Sequence, residues 1–169
     1  AVAAALQLTL AAKAPRRVTL MHRRDVFTAE PALLQAMRDA RATHAVVVLG
    51  FEAADPGRYG RLIVQGDQLA EIVEYKDATE AQRAITLCNS GVVCAQASTL
   101  FDLVAKVGNA NAAAEYYLTD IVALARAQGL SVGYVTCAES ETLGINTRHQ
   151  LAAAEAAFKR TAQLCDDAG

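Results

Sequence analysis

Apolar residues recur along the chain in two rhythms, one of period two and one near 3.6, and the alternation of these rhythms sets the expected fold. Residues 1–13 read as an Ala-rich helix stopped by Pro15, and Arg17–His22 as a short strand. Thr28 can cap a following helix, Pro31 suits its first turn, and Leu33, Leu34 and Met37 recur at helical spacing. His44–Phe51 (HAVVVLGF) is a nearly continuous β-branched run, as expected of a strand buried on both faces. Arg61–Val64 and Ala70–Tyr75 flank Gln65-Gly-Asp-Gln68, a hairpin signal. Ile85–Leu87 and Gly91–Ala95 predict a further strand interrupted at Asn89-Ser90. Helices are expected near 97–107 and 119–128, separated by the loop GNANAAAEYY, then a strand at Ser131–Cys137. The last predicted helix, 146–165, carries Leu151, Ala154, Phe158, Ala162 and Cys165 on one face. Strands alternating with helices imply an α/β fold on a mixed sheet.

Composition narrows the function classes. In 169 residues, 53% are hydrophobic and 20% charged, enough to build a core, and the net charge is only −2. That balance gives no electrostatic reason to expect a nucleic-acid partner. An aromatic share of 5% without Trp also disfavours base-stacking platforms. The four Cys, at 88, 94, 137 and 165, form no CxxC pair and have no His at metal-ligand spacing. They read as core residues of a reduced, cytoplasmic protein. No stretch reaches the roughly 20 apolar residues that a membrane span needs. The opening AVAAALQLTLAAKA imitates the apolar part of a signal peptide but lacks a basic segment before it. The absence of an initiating Met leads us to expect that the chain starts inside something longer.

Ligands of buried α/β sheets sit in loops at the carboxyl ends of strands. Those loops carry Asp25, Asn89 and the segment GNANAAAEYYLTD. The chain has no GxGxxG, P-loop, GxSxG or HExxH, so spacing alone assigns no chemistry.

Five strings in a fixed order go further: DPGRYGRL at 55–62, IVEYKDATEAQ at 72–82, NSGVVCA at 89–95, AEYYLTDIVALA at 114–125 and GINTRHQL at 144–151. From about Asp25 to Leu151 the chain resembles the second half of the uridylyltransferase domain of bacterial N-acetylglucosamine-1-phosphate uridylyltransferases. The resemblance implies a partial Rossmann-like nucleotidyltransferase fold over 1–145, its sugar-binding half, and a helical arm over 146–169. It also implies a central slice of the family protein, or a protein that has lost both ends. The family's glycine-rich phosphate loop, its phosphate-gripping lysine and its uracil-reading residues have no counterpart in these 169 residues.

By the same resemblance, Asp25 and Asn146 are expected to ligate Mg²⁺, which favours hard oxygen donors. Arg23-Arg24 and Phe27 depart from the family pattern around Asp25. A turn-starting surface Asp, and for Asn146 a helix N-cap, are the bland alternatives. Gly60, Glu74, Asn89, Tyr117 and Thr119 are the implied sugar-binding residues. Their alternatives are a turn glycine at 60, a solvated hairpin face at 74 and a helix cap at 119. Asn89 places an amide in an apolar strand, where it needs a partner that a sugar could supply. The implied ligands are N-acetylglucosamine 1-phosphate and UTP, or UDP-N-acetylglucosamine. A non-catalytic sugar-phosphate or nucleotide-sugar binding module, or a metal-assisted enzyme of altered activity, is the competing expectation. An open sheet edge and unpartnered apolar helix faces predict a homo-oligomer.

Overall fold

The computed structural model describes residues 17–20 and 31–142, with side chains from Leu33 onward. Asp25, Asn146, the expected first helix and the 146–169 arm lie outside the described residues.

Among the described residues six strands form one mixed sheet. β1 is Arg17–Leu20, β2 Val46–Glu52, β3 Arg61–Gln65, β4 Gln68–Val73, β5 Leu87–Gln96 and β6 Val132–Cys137. The order is β4-β3-β5-β2-β6, with β1 pairing antiparallel to the end of β5. β2 runs parallel to β6 and antiparallel to β5. The helices are α1 (Pro31–Ala40), α2 (Glu80–Arg83), α3 (Ala97–Val104) and α4 (Ile121–Ala127).

The apolar run at 46–51 is buried throughout, as its composition predicts, because β2 is covered on both faces. On one face Val47 and Leu49 pack with Leu33 and Met37 of α1, one helical turn apart, and with Val92 and Cys94. On the other, Val46 and Val48 join Leu62, Leu69, Ile72, Val93 and Ala95 beneath Leu100 and Leu103 of α3 and Ile121, Val122 and Ala125 of α4. Successive residues therefore serve opposite cores, as a strand requires. The 65–68 turn closes the β3–β4 hairpin, with Gly66 at φ 64°, which that tight turn needs and glycine supplies without strain.

The expected interruption at Asn89-Ser90 is corrected: β5 runs unbroken from Leu87 to Gln96. Its polar residues sit in a bulge. Val48 opposes Val93 and Gly50 opposes Asn89, so Leu49 alone faces Ser90, Gly91 and Val92. Two extra residues preserve the alternation, so Cys88 and Val92 share a face and the apolar pattern stays in phase. Ser90 Oγ donates to Leu49 O at 2.8 Å, and Gly91 takes φ 88°. Cys88 and Cys94 are buried in the core, as expected of them, and Cys137 is half-buried.

Candidate functional site

The carboxyl end of β2 presents two neighbouring rows of residues across the sheet. In the first, Val73, Arg61, Cys88, Phe51 and Cys137 lie side by side from β4 to β6. One residue earlier along β2, Asn89, Gly50 and Thr136 pair across β5, β2 and β6. Gly60 extends this second row, because its carbonyl accepts from Asn89 N at 2.8 Å.

The second row contains two of the five sugar-binding candidates, Gly60 and Asn89, and two more, Glu74 and Thr119, join it beside Gly60. Glu74 follows β4 and turns its carboxylate over Gly60. A Cβ on Gly60 would lie 3.2 Å from Ile72 Cγ2 and 3.4 and 3.5 Å from Glu74 Oε1 and Oε2. Gly60 does not adopt positive φ, so the turn alternative gives way to close approach by its neighbours. Thr119 Oγ1 donates to Glu74 Oε1 at 3.0 Å. Asp120 occupies the N-cap of α4, so Thr119 spends its hydroxyl on Glu74 instead of on a helix end. Thr119, Glu74, Gly60 and Asn89 are thus linked in sequence, from the short 3₁₀ turn at Leu118–Asp120 to the middle of the sheet.

Asn89 finds part of its hydrogen bonding within the chain, since Oδ1 accepts from Gly91 N at 3.1 Å. Among the described residues its amide nitrogen has no partner. Tyr117, half-buried, stands beside the same carboxylates: burial raises its phenol, and the charges of Asp77, Glu115 and Glu74 and a hydrogen bond with Asp77 add to the rise. Burial likewise raises the Glu74 carboxyl; the Thr119 hydrogen bond pulls it back, while Asp120, Asp77 and Glu115 push it further up. Glu74 is half-buried and held by Thr119, unlike a residue on a fully solvated hairpin face. Asp120 is raised by burial and by Asp77. A partly desolvated carboxylate, an amide and hydroxyls form a set suited to a neutral, polyhydroxylated ligand.

The loop before Gly60 is fixed by a residue that spacing did not reveal. Arg61 is 1% exposed and donates Nη2 to Gly57 O and to Arg83 O, both at 3.1 Å, and Nη1 to Tyr59 O. The guanidinium carbons of Arg83, Arg58 and Arg61 stand 4.6, 5.6 and 6.0 Å from the Tyr75 ring centre. Nothing in the pattern separates a buried Arg from an exposed one on a hairpin. Asp77, a second omission, sits on the turn after Glu74, where its N–H donates to Glu74 O at 3.0 Å and its Oδ1 accepts from Ala112 N at 2.8 Å.

Among the described residues no group of three or more His, Cys, Asp or Glu could hold a metal ion, and no helix is long and apolar enough to cross a membrane. The expected Mg²⁺ ligands lie outside them.

No family model matches the chain. It is 63% identical over 154 residues to the bifunctional protein GlmU of Cereibacter sphaeroides, covering 91% of the chain and 34% of the relative. GlmU of Paracoccus denitrificans is 66% identical over 114 residues, covering 68% of the chain and 26% of the relative. The chain thus spans about a third of the length of the curated relatives it matches. Among solved structures, a UDP-glucose pyrophosphorylase complexed with UDP-glucose aligns with TM-score 0.66 at 14% identity, over 94% of the chain and 62% of that chain. An inositol-1-phosphate CTP transferase from T. maritima aligns with TM-score 0.66 at 14% identity, over 93% and 61%. These likenesses show the nucleotidyltransferase fold.

Proposed function

Over the segment it spans the chain belongs to the GlmU family, and from that premise we propose that it is the sugar-holding part of a sugar-1-phosphate uridylyltransferase domain. The substrates in this reading are N-acetylglucosamine 1-phosphate and UTP, and the product is UDP-N-acetylglucosamine. The sugar-phosphate oxygen attacks the α-phosphorus of UTP in line, and pyrophosphate leaves. Such a transfer needs little covalent help from a protein; positioning and charge neutralisation lower most of the barrier.

The linked set of Thr119, Glu74, Gly60 and Asn89 carries the proposal. Glu74 accepts from sugar hydroxyls with the oxygen that Thr119 leaves open. The Asn89 amide nitrogen donates to a carbonyl such as that of the N-acetyl group. Gly60 leaves room for the Glu74 carboxylate to lie against the backbone, and Tyr117 closes the side. Mg²⁺ belongs to the reading through Asp25 and Asn146, oxygen donors of the kind it prefers. A cytoplasmic setting and self-association belong to it as well.

The 169 residues contain no glycine-rich phosphate loop. The chain alone is therefore expected to bind the sugar phosphate better than UTP and to show no robust transfer. Titration calorimetry with N-acetylglucosamine 1-phosphate and with UTP, each with and without Mg²⁺, tests this. Binding of UTP without binding of the sugar phosphate would overturn the pocket. Pyrophosphate release dependent on both substrates would overturn the expectation for the isolated chain.

A further inference from the structure

We infer that Asp77 is a positioning residue, a clasp that holds the 108–117 loop to the turn after Glu74 and so sets where Tyr117 and Thr119 stand. The inference deepens the sugar-site reading and rests on it for its effect on ligand binding.

The loop has little else to hold it. Val107 before it and Leu118 after it pack on the core, but Gly108, Asn109, Ala110, Ala112, Ala114, Glu115 and Tyr116 are exposed. Its internal order comes from Asn111, whose Oδ1 accepts from Ala113 N at 3.1 Å and Glu115 N at 3.2 Å, and whose Nδ2 donates to Glu115 O at 2.5 Å. Ala114 adopts φ 51°, a left-handed conformation that a residue with a Cβ keeps only where its surroundings hold it. This self-braced turn would still be free to swing as a unit. Among the described residues, the hydrogen bond that joins it to the turn after β4 ends on Asp77, where Ala112 N donates to Oδ1 at 2.8 Å.

Asp77 is in turn fixed to the site, since its own N–H and that of Ala78 both donate to Glu74 O at 3.0 Å. One residue therefore ties the loop to the backbone of the residue that Thr119 reaches from the other side. Its charge is no asset there, because Glu74, Asp120 and Glu115 crowd the same space. What the place requires is an acceptor at Oδ1. Asn supplies that acceptor without the charge, and Ala supplies neither.

Amide hydrogen exchange and calorimetry on the full chain separate these roles. Asp77→Ala, at an exposed position that should not endanger folding, is expected to speed exchange across 111–119 and to weaken N-acetylglucosamine 1-phosphate binding by about tenfold, in keeping with the loss of one tethering hydrogen bond. Asp77→Asn is expected to restore both toward wild type, which a purely electrostatic role would not allow. Unchanged exchange in Asp77→Ala overturns the clasp, as does failure of Asp77→Asn to recover protection. If the wild type binds no sugar phosphate, the sugar-site reading falls while exchange still decides the clasp.

Discussion

The two rows that meet at the carboxyl end of β2 are one residue apart in sequence and opposite in character. In the first, Arg61, Cys88 and Phe51 are buried, Cys137 packs against Phe51 and Cys88, and the Tyr59 ring meets Phe51 edge-on at 5.0 Å. Gly60, Asn89, Gly50 and Thr136 carry no large apolar side chain at all. At Gly50 a Cβ would come within 2.8 Å of Leu62 Cδ2 and 3.2 Å of Cys88 O, so packing of the apolar residues dictates a glycine in the polar row. One row supplies stiffness, and the other takes its geometry from that stiffness. The difference teaches that a binding surface here is the reverse side of a packed one, displaced by a single step along the strands.

The comparison breaks most directly by removing bulk from the packed row. Phe51→Ala is expected to destabilise the chain by about 3–5 kcal/mol, through lost transfer energy and a cavity that a sheet centre cannot close. Asn89→Ala, next in effect, should cost stability only about 0.5–1.5 kcal/mol, for the bond to Gly91. It should nevertheless weaken N-acetylglucosamine 1-phosphate binding roughly five- to a hundredfold, since a buried polar contact is worth about 1–3 kcal/mol. Urea titration and calorimetry on both variants read the two effects separately. If Asn89→Ala proves as destabilising as Phe51→Ala, the polar row is a structural one and the division fails.

The packed strand β2 was legible in the sequence, the buried Arg61 beside it was not, and the polar row was legible only in part. A β-branched run such as Val46–Leu49 announces a doubly covered strand because burial on both faces leaves no place for polar residues. Asn89-Ser90 instead suggested a strand break, because a bulge satisfies polar groups locally and leaves no periodic trace. α2 went unread although Thr79 and Gln82 form a capping box, with Gln82 N donating to Thr79 Oγ1 at 3.2 Å and Thr79 N to Gln82 Oε1 at 2.9 Å. That T-x-x-Q signature was available. The site residues Gly60, Glu74, Asn89, Tyr117 and Thr119 came from resemblance. Local propensity could not have joined them, since Glu74 and Thr119 meet across 45 positions of sequence.

A smaller effect sharpens the contrast through Glu74, the carboxylate that the polar row keeps partly out of water. Its pKa is raised in the folded chain, so the fold binds this proton more tightly than the unfolded chain does. The resulting stability is complete below the ordinary carboxylate range and is lost as pH rises through the raised value. Glu74→Gln removes that loss. The variant should match or exceed wild type in stability at pH 7.5, lose its advantage by pH 4, and bind the sugar phosphate more weakly at pH 7.5. Unfolding midpoints at the two pH values check the sign. A variant less stable at pH 7.5 than at pH 4, relative to wild type, would mean that the carboxylate is held for the fold.

The smallest expected effect concerns the thiols that flank Phe51 on its two neighbouring strands. Burial raises Cys88, with Arg61 opposing and Glu139 and Glu52 adding to the rise. Cys137 is pushed up to about 11, by burial and then by Glu141. Only the thiolate reacts, so against the ordinary value of 9.0 the folded chain should alkylate at Cys137 about a hundredfold more slowly than the unfolded chain at neutral pH. Peptide-resolved labelling with iodoacetamide, in buffer and in denaturant, measures the ratio at each site. Rapid labelling of Cys137 in buffer would show that the end of β6 opens. Thr136 is its immediate neighbour and completes the polar row through Gly50, so such opening would loosen the binding surface from behind. Slow labelling at both cysteines would instead tie the order of the polar row to the packing beneath it.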